Sequence, residues 1–454
     1  MLAMNNNIVR GKCIDLSFEG KGVVKTDDGV IFCDGLFIGE EADVKVLYTR
    51  AGNKFGKVHR LITKSPDRIQ PLCGVCTACG GCQFQQLSYP AQLEYKTNKV
   101  RSALKRHLGK DIDVLPVIGM DEPYNYRNKI QVPIGLNSHG KIISGFFRAN
   151  SHEIIEIDNC SIEDLRAAPI IASIKKLMKE FRYSPYDEDS GEGLIRHVII
   201  RTSYHYKEIM VTIVTSYDEF KGKNNFVKAL VKSNPEITTV VQNINPRHTN
   251  VILGEKERIL YGPGFIKDSI LGVNFFISSK SFYQVNPIQV EKLYSKAIEF
   301  ASLKESDRVL DAYCGTGTIG LIASKYVKEV TGVEIVKEAI KNAKKNAEIN
   351  HITNATFFVD DASDAIRKLL SEKKVFDVIF VDPPRKGLDE KFVNSLLESG
   401  ASRIVYVSCD PETLARDLAL LSKKYNIEFV QPVDMFPMTF HCETVVNLIF
   451  KTPK

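Results

Sequence analysis

The chain has 454 residues, 44% hydrophobic and 26% charged, with 29 glycines, 18 prolines, ten cysteines and a net charge of +6. That composition excludes a collagenous or low-complexity protein, and no run approaches 18 uninterrupted apolar residues, which excludes a membrane-spanning helix. The opening Met1-Leu2-Ala3-Met4-Asn5-Asn6-Asn7 lacks a basic stretch followed by an apolar run, so no secretory leader is expected and a cytoplasmic protein of about three domains is predicted.

In chain order, residues 5–62 read as short Val/Ile/Phe-rich strands split by Glu19-Gly20-Lys21-Gly22, Asp27-Asp28-Gly29 and Asp34-Gly35. That pattern predicts a small β-barrel domain over 4–64, a shape suited to single-stranded RNA. The run Ser65-Pro66-Asp67-Arg68-Ile69-Gln70-Pro71 breaks regular structure and opens a central domain over 65–260. Four cysteines follow within ten residues (Cys73, Cys76, Cys79, Cys82). A helix is predicted over 91–108, its cation-rich span to 110 expected to pack on the C-terminal domain, with Leu93, Val100, Leu104 and Leu108 on its apolar side. Residues 49–110 hold twelve Lys/Arg and two acids, a local charge of +10. A field of that size is expected of a phosphate-backbone binder, with Lys96, Arg101 and Lys105 as candidate contacts. Residues 126–260 read as mainly β, with a helix near 162–182. From 287 onward, apolar runs at 307–312, 329–334, 355–359, 376–382, 403–408, 426–433 and 444–450 alternate with helical stretches. This predicts a doubly wound α/β domain over 261–454, with its ligands at the carboxyl ends of the strands.

The first strand of that domain ends in Asp311 and runs into Tyr313-Cys314-Gly315-Thr316-Gly317-Thr318. Glycines there let backbone approach a ligand at a helix N-terminus. Glu334, 23 residues after Asp311, ends the second strand, where an acid accepts ribose hydroxyls; Asp360-Asp361 end the third, where an acid reads an adenine amino group. The spacing of Gly315, Gly317 and Gly320 by itself also permits NAD. Asp311 before the loop and Asp382-Pro383-Pro384 at the fourth strand's end instead resemble the S-adenosylmethionine-dependent methyltransferases.

Arg385 stands where amino-directed methyltransferases carry an aromatic, which points to a different acceptor atom. The fifth strand ends in Ser408-Cys409-Asp410-Pro411, placing Cys409 beside a helix N-terminus, where a lowered thiol pKa is expected. Asp382-Pro383-Pro384-Arg385 with Ser408-Cys409-Asp410-Pro411 resembles the RNA uracil-C5-methyltransferase family. Gln242-Asn243-Ile244-Asn245-Pro246, Ser281-Phe282-Tyr283-Gln284-Val285-Asn286 and His441-Cys442-Glu443-Thr444-Val445 extend the likeness over nearly the whole chain. Asp410 and Cys442 depart from the family's usual Asn and Val.

The resemblance implies a C-terminal Rossmann-like, seven-stranded S-adenosylmethionine-dependent domain, a β-rich middle and an N-terminal barrel similar to a TRAM or OB-like domain. It implies Cys409 as nucleophile and Glu443 as base, with Gln284, Tyr313, Thr318, Glu334, Asp361 and Asp382 lining the cofactor pocket. The chemistry requires such types: a thiolate added at C6 makes C5 of uracil nucleophilic, and a base removes the C5 proton after methylation. His441 is the alternative base, and Cys314 and Cys442 are expected to be buried structural thiols. The target base must leave its stack, which fits single-stranded or loop RNA. The barrel and the cysteines resemble the 23S ribosomal RNA branch. The alternatives are a transfer-RNA T-loop enzyme and a non-catalytic RNA-binding assembly factor. Neither a membrane nor an obligate protein partner is expected.

The cysteine spacing suits zinc held by Cys73, Cys76, Cys79 and Cys82, or an iron–sulfur cluster. The family pattern of Cys-x5-Cys-x2-Cys plus a distant cysteine implies a 4Fe-4S cluster on Cys73, Cys79, Cys82 and Cys160, with Cys76 spare. Methyl transfer needs no electron, so the expected role of the cluster is a staple for the central domain.

Overall fold

A computed structural model describes residues 8–27, 29–148 and 151–451. The leader expectation on Met1–Asn7 and the start of the 4–64 unit fall outside the described residues. Strands β1 (Ile8–Leu16), β2 (Gly22–Thr26), β3 (Gly29–Asp34), β4 (Glu41–Arg50) and β5 (Asn53–Thr63) close a barrel in the order β1-β2-β3-β5-β4, with β4 returning to β1. Alternation sends Cys13, Val24, Ile31, Cys33, Ala42 and Val44 inward. The buried Glu40 carboxylate holds the barrel to the following linker: it accepts from Arg68 Nε at 2.6 Å and Ser65 N at 3.2 Å.

The middle of the chain begins with a one-turn helix α1 (Cys76–Cys79) and the long α2 (Tyr89–Leu108). It continues as β6 (Lys129–Leu136), β7 (Ile142–Phe147), β8 (Ile154–Glu156), α3 (Ala167–Phe181), β9 (Ile195–Thr202), β10 (Ile209–Thr215), α4 (Lys223–Ser233), β11 (Ile237–Ile244) and β12 (Lys256–Tyr261). The seven strands order as β12-β11-β10-β9-β6-β7-β8. All neighbours are antiparallel except β10 and β11, which α4 connects. Helices α3 and α4 cover one face. Helix α4 lies in a stretch expected to be β: only Phe226, Val227 and Leu230 face the core, and its polar remainder hides the helical period.

A hairpin of β13 (Ile266–Ile270) and β14 (Val273–Ile277) leads into α5 (Pro287–Ala301). Then follow β15 (Arg308–Ala312), α6 (Thr318–Ala323), β16 (Glu329–Glu334), α7 (Lys337–Ile349), β17 (Ala355–Val359), α8 (Ala362–Ser371), β18 (Val378–Val381), α9 (Glu390–Ser399), β19 (Arg403–Ser408), α10 (Pro411–Leu421), β20 (Tyr425–Val433) and β21 (Glu443–Phe450). The second seven-stranded sheet runs β17-β16-β15-β18-β19-β21-β20, with its first five strands parallel and β21 antiparallel to both neighbours. Its strands are apolar on both faces, as a helix-covered parallel sheet requires. Val309, Val378, Phe380 and Val405 meet α5, α6 and α7; Leu310, Ile379, Val381 and Ile404 meet α8, α9 and α10. The α/β reading with an N-terminal barrel and a C-terminal seven-stranded sheet therefore matches the fold.

Helix α2 packs on α10, with Val100, Ala103 and Leu104 in the catalytic core. This placement overturns the expectation that Lys96 meets RNA. Lys96 is 0% exposed, and its Nζ lies 2.5 Å from Asp434 Oδ1 and 3.0 Å from Phe436 O. Lys99 is also buried, over the rings of Phe18 and Phe440. Arg106 and His107 pair with Glu412. Lys96, Lys99 and Arg106 of the basic segment thus help hold the barrel, α2 and the C-terminal domain together.

Candidate active site

Because β15, β16, β18 and β19 are parallel, their carboxyl ends lie at one edge, where Asp311, Glu334, Asp382 and Cys409 stand near or just beyond the strand ends. The β15–α6 loop is tight: Tyr313, Gly315 and Gly317 have φ of 66°, 55° and 83°. A tyrosine in that left-handed region carries a backbone cost that the surrounding packing must offset. The tyrosine ring stays seated against Phe392, with centroids 5.3 Å apart. Asp311 lies under the start of α6 and accepts from Gly320 N at 2.7 Å. A Cβ on Gly320 would come within 2.9 Å of that carboxylate, so this glycine serves packing rather than a dinucleotide. Burial above all, then Asp382 and Glu334, pushes the Asp311 carboxyl up to about 7.

Glu334 anchors the loop, accepting from Gly315 N at 3.2 Å through one oxygen and from Val336 N at 2.9 Å through the other. Directly after it, Ile335 and Val336 are 65% and 53% exposed. Uncovered apolar surface beside an acid at a sheet's carboxyl edge suits the face and ribose of a nucleoside, and a Cβ on Gly315 would meet open space. Thr318 opens α6, with its hydroxyl 3.4 Å from that of Thr316. Asp361 caps α8 with one oxygen, accepting from Ser363 N and Asp364 N at 2.9 and 3.3 Å. It lies near the Tyr313 hydroxyl, whose pKa it helps to raise after burial and Asp389. Gln284 is held by its backbone carbonyl, which accepts from Asn128 Nδ2 at 3.1 Å.

The predicted nucleophile and base, with Asp382, sit at the ends of β18, β19 and β21. Glu443 is 6% exposed; burial, then Asp382, pushes its carboxyl up to about 8, against the pull of Arg385. Burial pushes Asp382 up to about 7. The half-buried Cys409 faces both carboxyls: burial first, then Glu443 and Asp382, pushes its thiol up to about 12. The expected lowering of that thiol pKa is thus overturned. Burial and the two carboxyls outweigh the helix start, and Asp410 adds to this by capping α10, accepting from Glu412 N and Thr413 N at 2.9 and 3.1 Å. The amides that would have favoured a thiolate already serve a carboxylate. Arg385 is the opposing cation, lowering the pKa of Cys409, Glu443 and His441.

Burial and nearby cations bring His441 down to about 4, and its ring leans on Phe440 at 4.2 Å. Cys314 and Cys442 are buried, each with a carbonyl acceptor for its thiol. Sequence reading missed Tyr294 of α5: buried, it lies among Asp382, Gln284, Glu443 and Asp311, which together with burial perturb its hydroxyl. A tyrosine at a core position of a helix carries no sequence signal that it will lie beside these groups.

Cys73, Cys76, Cys79 and Cys82 share one neighbourhood, and each of the last three has its thiol pKa raised by burial and by other cysteines. Cys160 joins them through Cys82 and Glu163, and burial pushes it up to about 12. Gln85 Nε2 to Ser161 Oγ, 3.0 Å, ties the two segments. Among the described residues no three His, Cys, Asp or Glu side chains converge in the geometry of a metal site. The donor chemistry nevertheless fits thiolate ligands. Backbone amides face the sulfurs of Cys76, Cys79 and Cys160 and favour their charged forms.

A Rossmann-like sheet in this strand order, with a glycine loop after its first strand and acids along its carboxyl edge, defines a methyltransferase fold. The model of the tRNA (uracil-5-)-methyltransferase family matches residues 88–451, and the chain belongs to that family. It is 44% identical over 449 residues to an RNA methyltransferase of Halalkalibacterium halodurans, covering 98% of each chain. It is 45% identical over 437 residues to one of Clostridium acetobutylicum, covering 95% of each. Its fold is similar to that of the Pyrococcus abyssi tRNA (uracil-54, C5)-methyltransferase in complex with S-adenosyl-L-homocysteine. That match has a TM-score of 0.78 and 29% identity, and covers 97% of this chain and 100% of the other.

Proposed function

We propose that the protein transfers a methyl group from S-adenosylmethionine to C5 of a uridine in 23S ribosomal RNA. The observation that carries this reading is the meeting of Cys409, Glu443 and Asp382 at the carboxyl edge of the parallel sheet. S-adenosylmethionine, when bound, supplies an electrophilic methyl group on a sulfonium. Glu334 and Asp361 would hold its ribose and adenine, with Gln284, Tyr313, Thr318 and Asp382 around the rest. The uridine is flipped out of its stack to reach Cys409. The thiol gives up its proton to a neighbouring carboxylate, and Asp382 is the acceptor that leaves Glu443 free. The sulfur adds to C6, and the electrons move onto C5–C4–O4 as an enolate. C5 then takes the methyl group, Glu443 removes the C5 proton, and the C6–S bond breaks to return the thiolate. A carboxyl held at about 8 suits that base role better than an imidazole at about 4.

The 23S assignment is supported by the likeness of the five-cysteine region to that branch. Transfer RNA is the second reading, favoured by the extent of the match to the Pyrococcus abyssi enzyme. The intact Cys409, Glu443 and Asp382 speak against a non-catalytic assembly factor. Mapping 5-methyluridine in 23S and transfer RNA from cells lacking the gene tests all three: one 23S position losing the mark is the expected result, and a lost T-loop mark would transfer the assignment.

We also propose that Cys73, Cys79, Cys82 and Cys160 hold a 4Fe-4S cluster, with zinc as the runner-up. Its role is a staple closing the loop from Cys82 to Cys160, since longer loops lose more entropy on closure. Anaerobically purified protein should be brown. Cys160→Ser should bleach it, and Cys76→Ser should not. A colourless preparation with one zinc per chain, lost on Cys76→Ser, would favour the four local thiols.

A further inference from the structure

The barrel's outer face carries a row of aromatic rings that its core does not require. Phe32 of β3 lies opposite Phe55 of β5, and Phe55 lies opposite Tyr48 of β4. Their rings stack in sequence, with centroids 5.6 and 5.0 Å apart and interplanar angles of 29° and 17°. Ile31, Cys33 and Val44 fill the inside of these strands, so the rings point outward. Tyr48 reaches the row through a bulge. The register passes from Val46 opposite Gly56 to Tyr48 opposite Phe55, leaving Leu47 without a partner. That extra residue turns Tyr48 to the outer face, a common device for re-aiming a side chain. The tyrosine is 54% exposed, and Val30 continues the apolar strip.

Cations border the row on both sides. The register sets Lys25 beside Val30 and Arg50 beside Asn53 along one flank, and Lys45 opposite Lys57 along the other. None of these four cations has an ion-pair partner among the described residues, whereas the outward acids Asp34 and Asp43 are held, by Lys21 at 2.5 Å and by Arg10 and Arg60 at 2.9 Å. The barrel is also fixed to the chemistry-bearing part of the chain. Tyr95 Oη donates to Ser17 O at 2.8 Å, and Lys99 sits between the rings of Phe18 and Phe440, three residues before Glu443.

We infer that Tyr48, held upright by Phe55 and Phe32 stacked behind it, offers its open ring face to a base in a single-stranded segment of the RNA substrate, with Lys25, Lys45, Arg50 and Lys57 tracking the phosphates. This rests on RNA being the substrate. Flat rings flanked by cations match the unpaired base and its backbone charge; a duplex hides its base faces and would gain only the charge contacts.

The chain contains no tryptophan, so Tyr48→Trp keeps an aromatic ring and places one indole in the row. Titrating that variant with a short single-stranded oligouridylate should change indole emission saturably, and a duplex should not compete at equal concentration. Tyr48→Ala should weaken oligouridylate binding by about 5- to 100-fold at every salt concentration and leave the slope of log affinity against log salt unchanged. Lys45→Gln with Lys57→Gln should instead lower that slope by ~0.7 per contact. Tyr48→Phe should restore affinity, and equal melting temperatures for the Ala and Phe variants separate recognition from loss of cross-strand packing. Unchanged affinity in a folded Tyr48→Ala variant, with silent indole emission, would overturn the inference and leave the row to the sheet alone. If the methylation reading fails instead, no RNA is methylated although the indole still responds. If only the stacking fails, methylation proceeds with an unaltered KM in Tyr48→Ala.

Discussion

The chain folds two seven-stranded sheets, and only one gathers reactive groups. In the central sheet nearly every neighbour is antiparallel, so successive strands end at opposite edges and the chemistry-bearing side chains scatter. In the C-terminal sheet β15, β16, β18 and β19 all end at one edge, where Asp311, Glu334, Asp382 and Cys409 meet. Strand direction, more than composition, makes the site. The convergence has an electrostatic cost: Asp311, Asp382, Glu443 and Cys409 crowd together, and burial first, then mutual charge on all but Asp382, drives these four toward their neutral forms. The central sheet's buried Arg196 lives differently, with its guanidinium shared between Glu188 and backbone carbonyls.

The largest effect that would break the contrast is chemical. Cys409→Ala should abolish methyl transfer and leave cofactor binding near normal, read by methylation assay and calorimetry. Glu443→Gln should still add to uracil but fail to lose the C5 proton, so a covalent protein–RNA adduct should accumulate on denaturing gels. An adduct with His441→Ala and none with Glu443→Gln would reassign the base.

Next in size is the buried pair between α2 and the catalytic domain. Lys96→Ala leaves Asp434 buried without its cation and should destabilise the protein by about 3–5 kcal/mol in urea unfolding. Replacing both partners with apolar residues should recover much of that loss. The result also separates Lys96 from the RNA-contacting cations.

The crowded carboxyls predict a pH signature. Glu443 and Asp382 have folded pKa values of about 8 and about 7, above their unfolded values. The unfolded chain therefore ionises first, and stability falls as pH rises from about 4 to about 8. Glu443→Gln should raise the melting temperature near pH 8, by ~2–4 °C for each kcal/mol of relieved cost, and change little near pH 4. In the parent enzyme, methylation should speed up over the range from about 7 to about 8 as the carboxyls lose their protons. The smallest expected effect is at the exposed end of α2. Neutralising Arg101 and Lys105 should lower the salt slope of RNA binding by at most ~0.7 each, since Lys105 already pairs with Asp111.

The alternating runs of the C-terminal domain were legible because a parallel sheet buried on both faces writes each strand as a short apolar block, as at Val378–Val381 and Arg403–Ser408. Asp311, Glu334, Asp382 and Cys409 could be found because they stand at the ends of those blocks. The barrel was legible from its turn residues. Helix α4 was not, since one narrow apolar stripe among lysines and asparagines leaves a weak period. Three further decisions belonged to the tertiary structure. Lys96 reads as a surface cation on a basic helix, yet packing against α10 and the 434–440 segment buries it on Asp434. Cys409 reads as an activated thiol at a helix start, yet burial, and then Glu443 arriving from 34 residues later, raise its pKa while Asp410 takes the helix amides. Tyr48 faces outward because one bulge shifts the register by a residue. Local pattern determines where strands and helices form. Charge state, burial and the facing of a side chain depend on which distant segments come to lie beside it, and only the folded chain holds that information.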